Sequence, residues 1–109
     1  MAIKANLVID QGADFSTEID VTDENGNVVD LTGWTVAAQM RKHYTSSSFF
    51  SFVANTTGAA GQVTLTMNAA TTATITSGRY VYDCELTSTA NVVSRLIEGI
   101  VTVTPQVTR

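Results

Sequence analysis

Apolar and polar residues alternate one by one along most of the chain, which is the periodicity of half-buried β-strands. The clearest case is residues 15–22, with the sequence FSTEIDVT. An Asn-Gly pair at residues 25–26 predicts a tight turn that leads into a hairpin partner at Val28 and Val29. The same period of two predicts further strands over residues 3–10, 34–41, 49–54, 62–67, 79–86 and 92–104.

Three local features modify this pattern of alternation. Residues 68–77 form the one segment where a short helical turn is expected, with Asn68 as its N-cap and Ile75 pointing inward. Gly99 lies inside the last strand, where a glycine predicts a bulge or the close approach of another backbone. Pro105 has no N–H to give to a strand ladder, and we expect it to end that strand.

About seven short strands with turn signals roughly every 8 to 12 residues are typical of an immunoglobulin-like antiparallel β-sandwich. The chain has 109 residues, which suits a single domain over residues 1–109. Cys84 is the one cysteine, so no internal disulfide can form. Its alternating apolar surroundings predict a buried, inert thiol. We therefore expect an all-β sandwich without a disulfide.

Residues 77–82, with the sequence SGRYVY, have the pattern of a tyrosine corner. In that motif a tyrosine near the start of the sixth strand hydrogen-bonds back to the preceding backbone, two residues before a cysteine. Tyr80 is the predicted corner residue, and Tyr82 stands in place of the cysteine. Trp34 is expected in the core beneath both rings. The alternative is that the two tyrosines are core residues of an ordinary antiparallel sheet.

Composition narrows the classes of function. Ten acidic against six basic residues give a net charge of -4, the wrong sign for binding a phosphate backbone, so no nucleic-acid partner is expected. Charged residues are 15% of the chain, and eighteen Thr and eight Ser supply much of the remaining polarity. Neither a signal-peptide core nor a stretch long enough to span a membrane is seen, so we expect no membrane partner and synthesis in a reducing cytoplasm.

Residues with catalytic or metal-binding chemistry are few. His43 lies in a polar loop at residues 43–48 without a serine elbow. One Cys and one His cannot form a zinc site. The acidic loop at residues 23–27 lacks the glycine and glutamate that a calcium loop needs further on, so a turn is the better interpretation. Outward carboxylates at period 2, such as Asp83 and Glu85, are typical of solvated strand faces. We predict no catalytic, cofactor-binding or metal-binding residue, and no enzyme.

An excess of apolar residues over residues 49–54 suggests protein contacts. Phe49 and Phe50 are adjacent, so one of them must face away from the core of an edge-like strand. An exposed phenylalanine is most often part of a contact surface. Together with Tyr44 in the loop 43–48, these two residues form the predicted contact site.

Several motifs spread over nearly the whole chain carry a family resemblance. They are MAIKANLVIDQGADFS and VTDENGNVVDLTG near the start, DLTGWT at residues 30–35, QMR at 39–41, GRYVYD at 78–83 with EL at 85–86, and Arg95 with EGIVTVTP at 98–105. Together they resemble small structural proteins of tailed bacteriophages, especially the myoviruses of marine cyanobacteria. The resemblance implies an immunoglobulin-like unit of the kind that phages use on capsids, necks, tails and fibre attachments. These motifs describe a fold, so they carry over no catalytic or ligand-binding residue.

Two classes of function follow as expectations. The first is a non-enzymatic virion structural protein that binds further copies of itself and neighbouring virion proteins. A place in the neck, tail, baseplate or fibre attachment is favoured, and capsid decoration is the other option. The second is a receptor- or carbohydrate-binding module on the particle surface, with Tyr44 and the pair Phe49 and Phe50 as stacking platforms.

Overall fold

The computed structural model describes residues 3–23, 25–57 and 60–108, with Ile3 described for its backbone only. The predicted domain, 1–109, therefore includes six residues outside these ranges: Met1, Ala2, Glu24, Gly58, Ala59 and Arg109. The elements of the described chain are β1 (Ile3–Lys4), β2 (Leu7–Asp10), β3 (Phe15–Asp20), β4 (Thr35–Arg41), β5 (Phe50–Ser51), β6 (Val53–Thr56), β7 (Gln62–Met67), α1 (Ala69–Thr72), β8 (Gly78–Thr87) and β9 (Val93–Thr104).

These strands form two sheets that pack face to face. The larger sheet has the order β1-β9-β8-β4-β5, with β2 also paired to β9, and the smaller sheet has the order β3-β7-β6. The neighbours β4, β8 and β9 in one sheet and β3, β7 and β6 in the other follow the strand order of an immunoglobulin sandwich. The protein is an all-β sandwich, which confirms the predicted fold class.

The first strand departs from the prediction, because residues 3–10 form two short strands that run parallel to β9 rather than one antiparallel strand. The break lies at Ala5 and Asn6. The Ala5 carbonyl accepts a hydrogen bond from the Tyr82 hydroxyl at 2.6 Å, and the Asn6 side chain accepts one from the Ile100 N–H at 3.1 Å. The Ala5 carbonyl also approaches Gly99 so closely that a side chain there would collide with it. This contact confirms the close backbone approach predicted for Gly99.

The segment 49–54 is also two strands rather than the one predicted. β5 pairs with β4 in the larger sheet, whereas β6 pairs with β7 in the smaller sheet. Phe52 lies between them, buried, with its N–H bonded to the Ala38 carbonyl at 3.0 Å. The chain therefore crosses from one sheet to the other at Phe52 and closes that side of the sandwich.

The predicted hairpin after β3 is reduced to a tight turn with a single bridge between Thr22 and Val28. The Asp23 carboxylate accepts the N–H groups of Asn25 and Asn27 at 2.9 and 3.0 Å. These hydrogen bonds lower the pKa of Asp23 below its usual value, and the bond from Asn27 has the larger effect. The acidic loop thus uses its first carboxylate to hold a turn.

The corner before β8 is built as its sequence predicts. Asn68 caps α1 by accepting the Thr71 N–H at 2.8 Å, and Ile75 is fully buried. The Tyr80 hydroxyl donates to the Thr76 carbonyl at 2.6 Å, which confirms the tyrosine corner. Tyr82 is buried two residues later. Between the sheets lie further buried side chains, among them Ile9, Leu31, Met40, Val63, Leu65, Cys84, Val101 and Val103.

Trp34 does not occupy the central place that its sequence position predicts. It is half-buried and packs against the rim of the core, just after a turn in which its N–H bonds to the Leu31 carbonyl at 2.9 Å. The ring that packs against Tyr82 is Phe52 instead, at a centroid distance of 6.3 Å, with Phe15 on the other side at 5.8 Å. Phe52, the residue at the crossover, thus occupies the central core position that was expected for Trp34.

Candidate functional site

The outward face of the larger sheet collects most of the polar and aromatic residues that could form a site. Because β4, β8 and β9 are paired in register, their outward side chains form rows across the sheet. One row contains Arg41, Val81 and Ile100, and the next contains Gln39, Asp83 and Glu98. Within the rows, apolar and charged groups lie next to each other.

A bulge in the β8–β9 ladder shapes this face. The register shifts between Cys84 and Glu85, so that Leu96 and Ile97 are both buried although they are neighbours in sequence. The bulge places Arg95 on the outer face beside two carboxylates, 3.5 Å from Asp83 and 2.9 Å from Glu98. The hydrogen bond to Glu98, and then the charge of Asp83, raise the pKa of the Arg95 guanidinium.

A shallow groove of about 270 Å³ runs over these rows, with Tyr44 beside it. Tyr44 comes from the β4–β5 loop and is 83% exposed. Gln39, Asp83 and Arg95 line the groove with amide, carboxylate and guanidinium groups. The groove therefore combines one projecting aromatic ring with planar hydrogen-bonding groups.

Arg41 ties the β4–β5 loop to the sheet. Its guanidinium donates to the Ser46 carbonyl at 2.5 Å and to the Gln39 side-chain oxygen at 3.0 Å. It also lies 4.7 Å from the centre of the Phe49 ring, which is 47% exposed. Tyr44, Arg41 and Phe49 thus make one exposed, braced surface, called the aromatic patch below.

The structure separates the three predicted contact residues. Tyr44 and Phe49 are on the surface, in the aromatic patch. Phe50 is half-buried and meets the Tyr80 ring edge-on at 6.3 Å, so it is turned more toward the core than Phe49, and its role as a contact residue stays a prediction. Phe50 faces inward because β5 pairs with β4 and presents alternate residues to the core.

The groups with nucleophilic or metal-binding chemistry remain apart. Cys84 is buried, and this burial is the main reason that the pKa of its thiol rises to about 12; the charges of Asp83 and Glu85 raise it further. The reactive thiolate is therefore not formed near neutral pH. His43 is exposed in the loop, where its backbone N–H donates to the Ser46 hydroxyl at 3.1 Å. Over the described residues, no three His, Cys, Asp or Glu side chains gather closely enough to hold a metal ion.

The described chain contains no helix with the length and apolar character needed to cross a membrane; α1 has four residues.

Sequence reasoning missed the groove, because it depends on which strands become neighbours. The alternation predicted that Asp83 and Glu85 face outward, but it did not show that their strand pairs with β4 on one side and β9 on the other. The bulge that brings Arg95 to Asp83 is marked in the sequence by the adjacent apolar pair Leu96 and Ile97, which breaks the alternation of the last strand.

Comparison with known proteins supports the fold. No protein-family model matches the chain, and no curated protein matches it. Among solved structures, 58 chains match. One is an internalin-like protein of Listeria monocytogenes, with a TM-score of 0.52 and 15% sequence identity, over 94% of this chain. This chain spans 28% of the length of that chain. At this identity the likeness concerns the sandwich fold alone.

Proposed function

We propose that this chain is a non-enzymatic structural module of a virion, which binds neighbouring virion proteins through the aromatic patch. The observation that carries the proposal is the exposure of Tyr44 and Phe49 on a loop that Arg41 holds to the sheet. The virion as location is supported by the resemblance of the chain's motifs to phage structural proteins. The binding surface is supported by the geometry.

The aromatic patch has the properties of a binding hot spot. Tyrosine and arginine are enriched where interface residues contribute most to affinity, because they combine a large apolar area with hydrogen-bonding ends. The two hydrogen bonds of Arg41 fix its guanidinium before any partner arrives. A braced surface loses little side-chain entropy on binding. Covering the patch therefore costs less side-chain entropy than covering the same groups on a loop without these bonds.

Apolar surface continues from the patch across the larger sheet. Val81 follows Arg41 in its row, and Ile100, which is 40% exposed, follows Val81. A partner that covers the patch can extend along this row and reach the charged groups beside it. The contact would then have an apolar centre and a polar rim, which is the usual organisation of a specific interface.

The experiment replaces Tyr44 and Phe49 by serine in the virus whose genome encodes this chain. Particles are purified, and the chain is quantified in them by mass spectrometry. We expect the Tyr44→Ser/Phe49→Ser variant to be missing from particles, while the purified variant melts near the parent temperature, because both side chains are outside the core.

A matched control replaces two other exposed residues, Val53 and Val107, by serine. This control should be incorporated as the parent is. If the patch variant is incorporated at the parent level, the aromatic patch is not the contact. If the unchanged chain is absent from purified particles, the virion assignment is wrong.

A carbohydrate-binding module is the second candidate, and the groove beside Tyr44 favours it. A sugar ring can stack on an exposed aromatic face, while its hydroxyl pairs bond to carboxylates such as Asp83 and to the amide of Gln39. Titration with a glycan panel tests this. Binding that Tyr44→Ser abolishes and Phe49→Ser leaves intact would favour the sugar site, because Tyr44 borders the groove and Phe49 does not.

A further inference from the structure

One side of the sandwich is open. On the opposite side the crossover at Phe52 links the sheets, whereas here the edge of the larger sheet (β1 and β2) and the edge of the smaller sheet (β3) each end without a further strand among the described residues. β3 is six residues long and pairs with β7 alone. A free strand edge of this length is a template for another strand.

The pairing pattern shows which backbone groups of β3 face the open side. Val21 continues the ladder beyond β3 by donating its N–H to the Gly61 carbonyl at 2.7 Å. Odd-numbered residues of β3 therefore bond to β7, because hydrogen-bonded positions alternate along an antiparallel pair. Ser16, Glu18 and Asp20 consequently direct their N–H and C=O groups to the open edge, where the described residues provide no backbone partner.

A cleft of about 290 Å³ lies between the sheets at this edge. Its lining is mostly apolar and includes Leu7, Ile19, Leu65 and Ile97. Ile19 faces inward from β3 and yet is only half-buried, because none of the described strands lies beyond β3 on this side. The open edge thus combines free backbone groups with an apolar cavity that has room for an added side chain.

We propose that the open edge of β3 accepts an extended segment of another protein as an added β-strand. Backbone hydrogen bonds to Ser16, Glu18 and Asp20 would hold the segment, as in other cases of strand addition. Every second side chain of the segment points into the cleft and is apolar. The alternate side chains face outward beside Glu18 and Asp20 and are lysine or arginine.

Charge determines the choice of occupant. The three strands of the smaller sheet contain Glu18 and Asp20 and no lysine or arginine. A second copy of the chain that paired through its own β3 would bring these carboxylates next to their counterparts, and like charges on facing strands are destabilising. A basic segment places opposite charges there instead. The occupant is therefore a basic, alternating strand of a different sequence.

The test uses a synthetic peptide, Ser-Lys-Val-Lys-Val-Lys-Ser, and an acidic counterpart with Glu in place of Lys. Each is titrated into the labelled protein while backbone amides are followed by NMR. We expect the basic peptide to bind about tenfold more tightly than the acidic one at low salt. Amide exchange should slow at Ser16, Glu18 and Asp20, because their N–H groups become bonded.

Four variants separate this site from general electrostatics. Glu18→Gln/Asp20→Asn should weaken binding of the basic peptide, and Glu18→Lys/Asp20→Lys should reverse the preference. Ala90→Lys/Val92→Lys changes the net charge by the same two units as the first variant, but at exposed positions of the β8–β9 turn, and should change binding little. Tyr44→Ser/Phe49→Ser should bind the peptide normally, since the aromatic patch lies on the other sheet.

Several outcomes would overturn the proposal. These are equal binding of both peptides, protection that maps away from β3, no binding of the basic peptide, or an equal loss in the Ala90→Lys/Val92→Lys control. Concentration-dependent shifts of the β3 amides in the protein alone would identify a second copy as the occupant and would overturn it as well.

Discussion

Replacing Phe52 by alanine should destabilise this domain more than replacing its one tryptophan. Phe52 is 5% exposed, and its ring lies between those of Phe15 and Tyr82. Truncating a buried phenylalanine costs about 3 to 5 kcal/mol, through lost transfer free energy and the cavity that remains. The site cannot collapse easily, because Phe52 is the point where the chain crosses between the sheets. We therefore expect a loss of about 4 kcal/mol for Phe52→Ala.

Trp34 is half-buried at the rim, so its truncation leaves a surface notch rather than an internal cavity. We expect Trp34→Ala to cost about half as much, roughly 2 kcal/mol. A domain of this size loses about 4 to 6 °C in melting temperature per kcal/mol. The expected decreases are then about 15 to 25 °C for Phe52→Ala and about 10 °C for Trp34→Ala.

Urea unfolding followed by far-ultraviolet circular dichroism is the suitable assay, because tryptophan fluorescence is lost in one of the variants. Phe49→Ala is the matched control: it removes the same side chain from a partly exposed position, together with its contact to Arg41, and should cost no more than about 1 kcal/mol. A larger loss for Trp34→Ala than for Phe52→Ala would refute the assignment of the core centre to Phe52.

Three further results are expected. Tyr80→Phe removes the hydrogen bond to the Thr76 carbonyl and should lower the free energy of unfolding by about 1 kcal/mol; an unchanged urea midpoint would show that this corner bond contributes nothing. Gly99→Ala should lower the melting temperature by more than Tyr80→Phe does, because the new methyl group collides with the Ala5 carbonyl and displaces it from the Tyr82 hydroxyl. Burial raises the pKa of Cys84 from 9.0 to about 12 and the pKa of Tyr82 from 10.0 to about 12. The folded state therefore favours the neutral form of both groups. The stability that this provides is complete below pH 9 and is lost as the pH rises toward 12. Urea midpoints measured over that range should fall, and flat midpoints would contradict the burial of both groups.

The elements defined by local chemistry could be predicted from the sequence. The strict alternation of residues 62–67 and 79–86 located β7 and β8, because each strand presents one face to the core. Asn68 and Tyr80 make hydrogen bonds to residues three or four positions away, so their roles were also visible in the sequence.

The elements that depend on pairing between distant strands could not be predicted. Phe52 lies between β5 and β6, and the alternation of either strand, continued to it, predicts an inward-facing side chain. An apolar run such as FFSFVA therefore does not show that the chain changes sheets within it. Likewise, the parallel pairing of β1 and β2 with β9 joins residues more than ninety positions apart. The adjacency of Phe49 and Phe50 predicted that one of the two faces away from the core, but not which one. Nothing in the sequence revealed the open edge of β3.

The two proposed surfaces lie on different sheets of the sandwich. The aromatic patch of Arg41, Tyr44 and Phe49 belongs to the larger sheet and the β4–β5 loop, while the open edge belongs to β3 of the smaller sheet. Tyr82 lines both the groove beside the patch and the cleft at the open edge. The two surfaces also differ in what they recognise: the patch offers preformed aromatic area, and the edge offers backbone hydrogen bonds with acidic flanks. If both proposals hold, binding at the patch would leave the edge of β3 available, and a single copy would be able to join two different proteins. A structural module of an assembled particle needs this property, since it must be held by one neighbour while it holds the next.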